Sequence, residues 1–201
     1  MSGVNGMGRL GLAAVVLLAV GTVVHAQGEP LTIFDWEGGL QDWTIPDWAK
    51  DKEDNAGRIV STSKEVASHG VESLQVLADF PGTGWSSAYV EVPMRVSDWS
   101  QFSSVSVDVY IPANAPKGLQ VRFILTVGEK WDWTEMNHAI PLEPGKWVTL
   151  TANIKAGSLD WKFFPTESFR KDVRKLGLRA ESDKQPAYSG PVYFDNLRLS
   201  P

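Results

Sequence analysis

Two stretches, Val105-Ser106-Val107-Asp108-Val109-Tyr110 and Val121-Arg122-Phe123-Ile124-Leu125-Thr126-Val127, decide the fold class of this chain. In each, an apolar residue recurs at every second position, the period of a pleated strand with one buried face. The pattern continues through Met136, Ile140 and Leu142, and again through Val148, Leu150, Ala152 and Ile154, so residues 105–154 predict four β-strands in succession. The opposite parity carries Ser106, Asp108 and Tyr110, then Gln120, Arg122, Ile124 and Thr126, then Trp133, Glu135 and Asn137. A merely solvated face favours Lys, Glu and Thr; this one mixes both charge signs with large aromatics.

Working outward, further strands are expected over residues 31–37, 59–63, 73–80, 87–92, 176–180 and 192–199, each bounded by Gly, Pro, Asn, Asp or Ser. Residues 41–43 read as a turn into another strand. Residues 46–57 read as a polar surface loop whose one large apolar residue is Trp48, and residues 155–172 as a long packed loop with a single helical turn near 165–167. No segment after residue 26 shows sustained helical periodicity and none repeats another. This many short strands, with turn signals every eight to twelve residues or so, predict an all-β fold, a two-sheet antiparallel β-sandwich.

The beginning of the chain has a different character. Arg9, the apolar run over residues 10–24 and the small-residue end at Ala26 describe a secretory signal peptide over residues 1–26, leaving residues 27–201 as one domain. A retained anchor is the alternative, although the run is short of the ~20 residues a span requires. The expected location is secreted, extracellular or periplasmic, with no membrane span once the leader is removed. With 19 Lys and Arg against 24 Asp and Glu, the net charge of −5 lacks the basic footprint that nucleic acid or an anionic membrane demands. Cysteine is absent, which removes disulfides, thiolate metal sites and a Cys nucleophile together.

Nine tryptophans are many for 201 residues. Trp36, Trp43, Trp99 and Trp147 are assigned to the core or a sheet edge. Strand parity turns Tyr89, Asp108, Arg122, Trp133, Glu135, Asn137 and Arg179 outward, with Trp85 and Trp131 at the rim. If their strands share a sheet, these residues form one surface. A sugar ring lays its C–H face on an indole or phenol and pairs its hydroxyls with such polar groups. A catalytic reading, in which Asp132 and Glu135 act as the carboxylate pair of a polysaccharide hydrolase or lyase, has nothing to select those two residues. Neither His69 nor His138 stands in a nucleophile–base pattern. A protein-binding structural sandwich of the cell envelope is the third class open.

Three pieces add a resemblance. Phe34-Asp35-Trp36-Glu37-Gly38 with Trp43, the Ser68-His69-Gly70 turn before Ser73-Leu74, and the terminal Val192-Tyr193-Phe194-Asp195-Asn196-Leu197 resemble the carbohydrate-binding modules of the galactose-binding-like, jelly-roll type. The turn Pro144-Gly145-Lys146-Trp147 fits the same pattern, and the likeness extends over essentially the whole domain. It implies a jelly roll that binds a polysaccharide or oligosaccharide without catalysis, as a monomer serving a separately encoded glycoside hydrolase. It also implies a structural calcium (Ca2+) held by Glu37 and Asp195, with Asp35 and backbone oxygens near His69 and Gly70 as further candidates.

Overall fold

The alternating segments pair into two antiparallel sheets. The computed structural model describes residues 28–163 and 165–201, so the expected leader, residues 1–26, lies outside the described residues. In chain order the elements are β1 (Leu31–Phe34), α1 (Asp47–Lys50), β2 (Gly57–Ser63), β3 (Ser73–Phe80), β4 (Trp85–Pro93), β5 (Ser104–Tyr110), β6 (Gln120–Val127), β7 (Asp132–Glu135), β8 (Ile140–Pro141), β9 (Trp147–Asn153), α2 (Glu167–Lys171), β10 (Val173–Asp183) and β11 (Tyr188–Ser200). One sheet runs β2-β3-β11-β5-β9 with β1 added beside β11; the other runs β4-β10-β6-β7 with β8 beside β6. The protein is a two-sheet, jelly-roll β-sandwich. Among the described residues no helix is long and apolar enough to cross a membrane.

The core lies between the sheets and comes from the parities read above. Val105, Val107 and Val109 of β5 and Leu150 and Ala152 of β9 are buried on one side; Val121 and Phe123 of β6 and Leu176 and Leu178 of β10 are buried on the other. Each large side chain so removed from water contributes roughly 1.5–3 kcal/mol before the entropy of ordering is counted. Phe34, Trp36 and Trp43 close one end of the core, with Phe34 and Trp43 edge to face at 5.4 Å between centroids.

Five departures from the sequence reading bear on the site. The strands of residues 105–154 do not form one sheet: β5 and β9 belong to the six-stranded sheet, and β6, β7 and β8 to the other. Alternation fixes which side faces the core, but a strand's partners are chosen by long-range pairing that parity does not contain. The expected strand around Met136–Leu142 is broken into β7 and β8. Between them, Asn137 donates through Nδ2 to the carbonyls of Leu159 (2.6 Å) and Trp161 (3.1 Å), and Met136 bridges to Trp161. The first strand ends at Phe34 because Trp36 adopts φ 55°, and the strand expected after residue 43 is only the isolated bridge of Thr44 to Glu91. The polar loop of residues 46–57 contains α1, which carries Trp48 along the edge of β4.

Candidate functional site

The outer face of the five-stranded sheet is built in rows. Register places Tyr89, Arg179 and Arg122 side by side on β4, β10 and β6; the next row is Glu91, Gly177, Ile124 and Glu135. Gly177 lets the face take its shape. A Cβ there would stand 2.4 Å from Cε2 of Tyr89, so the phenol ring rests on the strand where a side chain would otherwise rise. The Tyr89 hydroxyl donates to Glu91 Oε2 at 2.9 Å, and burial together with the Glu91 charge pushes its pKa far above the usual phenol range. Tyr89 is therefore a neutral donor at any ordinary pH.

Beside Tyr89 the floor is an ion-pair lattice. Arg122 donates to Glu181 Oε1 through Nε (3.1 Å) and Nη2 (2.5 Å), and to the Met136 carbonyl through Nη1 (3.0 Å). Arg179 bridges Glu181 Oε2 (3.0 Å) and Glu135 Oε2 (2.6 Å), while Lys162 reaches Glu135 Oε1 from the long loop. Burial alone would raise the Glu135 pKa, but hydrogen bonds and charges from Lys162 and Arg179 hold it below the ordinary carboxylate value. These groups satisfy one another, so Arg122 and Glu135 support the face more than they offer free hydrogen bonds to a ligand.

Above the floor stand four tryptophans with 39 to 53 % of their surface exposed: Trp48, Trp85, Trp131 and Trp133. Trp48 leans in from α1 at one edge and Trp133 from β7 at the other. They meet edge to face at 5.7 Å, and both pack against Tyr89, at 5.2 and 5.4 Å. This aromatic bridge divides the face into two clefts. The smaller, about 50 Å³, lies toward Trp85, Ser87, Asn55 and Arg179; the larger, about 370 Å³, lies between Trp48, Trp131 and Trp133 over Thr126 and Glu91. Cations sit against three of the indoles: Lys52 over Trp48 at 4.8 Å, Arg179 over Trp85 at 5.4 Å and Arg174 over Trp131 at 5.0 Å.

Of the residues expected on this surface, the structure brings together Trp85, Tyr89, Arg122, Trp131, Trp133, Glu135 and Arg179. Asn137 is exposed beyond the end of β7, with its amide nitrogen engaged by the loop over residues 159–161. Asp108 does not join them: it lies on β5 in the six-stranded sheet, where it accepts from Ser68 Oγ (2.9 Å), Thr149 Oγ1 (2.7 Å) and Asn196 Nδ2 (3.1 Å). Trp48 was missed, because a lone indole in a polar, aperiodic segment gives no parity to read. Its isolation among charged residues was the available signal.

The carboxylates assigned to calcium hold a turn. Asp195 Oδ2 accepts from the backbone N–H of Ser68 (2.7 Å) and His69 (2.9 Å), and its Oδ1 from that of Asn196 (2.6 Å). Glu37 Oε1 accepts from Val71 N (2.7 Å) and Glu72 N (2.8 Å), closing against Gly70, where a Cβ would lie 2.2 Å from that oxygen. Asp35 Oδ1 accepts from Gln41 Nε2 at 2.8 Å. Burial raises the Asp195 pKa, opposed by the N–H bonds of His69, Ser68 and Asn196. Calcium takes six to eight oxygens, yet this turn aims N–H groups at the carboxylates. Among the described residues no three His, Cys, Asp or Glu side chains converge as a metal site. The donor set does not fit a shared calcium in this arrangement.

Several solved structures share the fold. The CBM27-1 module of Caldicellulosiruptor saccharolyticus, solved in complex with mannohexaose, matches with a TM-score of 0.60 at 19% identity over 86% of this chain and 97% of that one. A CBM28 module described as specific for non-crystalline cellulose matches at 0.64 and 13% identity, over 87% and 96% of the two chains. The family 11 module of a cellulosomal cellulase of Clostridium thermocellum matches at 0.53 and 13% identity, over 87% and 96%. No family model and no curated protein matches the sequence. At these identities the likeness establishes the fold: this chain folds as carbohydrate-binding modules of the β-sandwich type do.

Proposed function

We propose that this protein is a non-catalytic carbohydrate-binding module that takes a polysaccharide or oligosaccharide on the outer face of its five-stranded sheet. The observation that carries the reading is the set of four exposed tryptophans, drawn from α1, β4, β7 and the turn before β7, around two clefts on a single face. Exposed indoles clustered over a satisfied polar floor present flat apolar platforms for sugar rings. The shared fold with modules solved on glycans supports it. On this reading Trp133, Trp131, Trp85 and Trp48 stack, while Ser87, Asn55, Thr126 and the rim of Arg179 meet hydroxyls.

The same floor argues against glycosidase chemistry. Glu135 and Glu181 are bridged by Arg179, whose guanidinium occupies the space between them that a water or scissile bond would need. Asp132 and Glu135, three apart on β7, point to opposite sides of the strand. The reading includes a secretory leader over residues 1–26, a monomeric domain and service to a separately encoded glycoside hydrolase. The test is affinity electrophoresis over a panel of polysaccharides. Trp133→Ala should weaken retention by about 5- to 150-fold, the equivalent of 1–3 kcal/mol for a lost stack, with a melting curve near the parent's. Normal retention by a folded Trp133→Ala variant would move the site elsewhere, and no retention of the parent on any glycan would favour a protein-binding sandwich.

A further inference from the structure

The larger cleft has a feature that a neutral sugar would not require. Its walls are three indoles, Trp48, Trp131 and Trp133, and its polar lining is Lys52, Lys175, Glu91 and Thr126. Three indoles around a space of this size would suit a quaternary ammonium, but two ammonium groups in the same lining disfavour any cation. Glu91 does not offset them freely, because it already accepts from Lys175 at 2.5 Å and from Tyr89 at 2.9 Å. Arg174, beside Trp131, is paired with Asp172 at 3.0 Å. Lys52 makes no ion pair among the described residues. It is held over Trp48 at 4.8 Å and lines both clefts, so its ammonium faces the space a ligand would enter.

Resting on the carbohydrate-binding reading, the geometry points to an anionic glycan as the ligand: a sugar residue in the larger cleft lays its ring on Trp131 or Trp133 and places its acidic group on Lys52. The chain as a whole carries −5, so its net charge does not favour an acidic polymer and a preference for one has to come from the cleft. That separates site binding from diffuse adsorption on a basic protein. The acidic group is a carboxylate or a sulfate, which share the chemistry Lys52 recognises.

The experiment measures affinity at fixed ionic strength for polygalacturonate, alginate and glucuronoxylan, each beside its carboxyl-reduced form, and for a sulfated galactan beside its desulfated form. Binding at least about tenfold tighter to an acidic polymer than to its neutral counterpart is expected, and the pair showing the difference tells carboxylate from sulfate. Lys52→Gln should remove that preference, lowering affinity for the acidic polymer to about that of its neutral counterpart, and flatten the salt dependence. Equal affinity for acidic and neutral forms, or an acidic preference that survives Lys52→Gln, would overturn the inference while leaving the carbohydrate reading intact. Failure to bind any polymer, acidic or neutral, would sink both.

Discussion

The two outer faces of the sandwich use the same kinds of residue to opposite ends. On the six-stranded sheet, Trp147, Tyr110 and Tyr193 lie in one cross-strand row, with centroids 5.4 and 6.1 Å apart, and fill one another's sides; Tyr193 is 2% exposed. Below them Asp108 and Asp195 are saturated by Ser68, His69, Thr149 and Asn196. On the five-stranded sheet the aromatics stand above the strands, because α1 and the turn over residues 128–131 lift Trp48 and Trp131 off the floor and Gly177 lets Tyr89 lie down beneath them. Aromatic content does not distinguish the two. A row of rings on adjacent strands makes a packed surface, whereas rings brought in from the edges make clefts.

The largest expected effect of a single change falls on the packed face. Asp195→Ala removes the buried carboxylate that accepts from the N–H groups of Ser68, His69 and Asn196 and should cost about 3 kcal/mol, seen as a melting temperature lowered by roughly 6–12 °C. Glycan affinity of the folded protein should be unchanged. Loss of affinity without loss of stability would mean that this face, too, binds.

Gly177→Ala works on the other face. The new Cβ displaces the Tyr89 ring, costs about 1–3 kcal/mol of stability as an overpacked site does and tips Tyr89 against Trp48 and Trp133, weakening binding as well. In a Tyr89→Ala background the stability cost should disappear, since the two residues share one space. An additive double variant would show that the ring does not rest on Gly177.

The smallest effect concerns the turn at residues 68–72. With Glu37 and Asp195 already satisfied by N–H donors, a chelator should leave the melting temperature where it was. A fall on chelation that added calcium reverses, as mass action on a bound ion requires, would restore the calcium that the family resemblance implies.

Much of the fold was legible because alternation reports burial directly. Val105, Val107, Val109, Val121 and Phe123 are all fully buried, and Trp36, Trp43 and Trp99 pack in the core. The site was legible in part. Parity turned Tyr89, Arg122, Trp133, Glu135 and Arg179 to one side correctly, and β4, β10, β6 and β7 do share a sheet. The same reasoning misplaced Asp108, since an outward residue looks alike on either sheet until long-range partners are known. It also could not tell that Arg122, Glu135, Arg179 and Glu181 would neutralise one another, which depends on register between strands about 60 residues apart in sequence. Trp48 escaped because four residues of helix in a charged loop carry no periodic signal.

On this reading ligand meets the face of lifted tryptophans and no other. Indole N–H signals in a nitrogen–proton NMR spectrum report all nine tryptophans separately during a glycan titration. The signals of Trp48, Trp85, Trp131 and Trp133 should shift with ligand while those of Trp36, Trp43, Trp99, Trp147 and Trp161 stay. Movement of Trp147 with the four exposed indoles stationary would contradict it, placing the ligand on the opposite sheet.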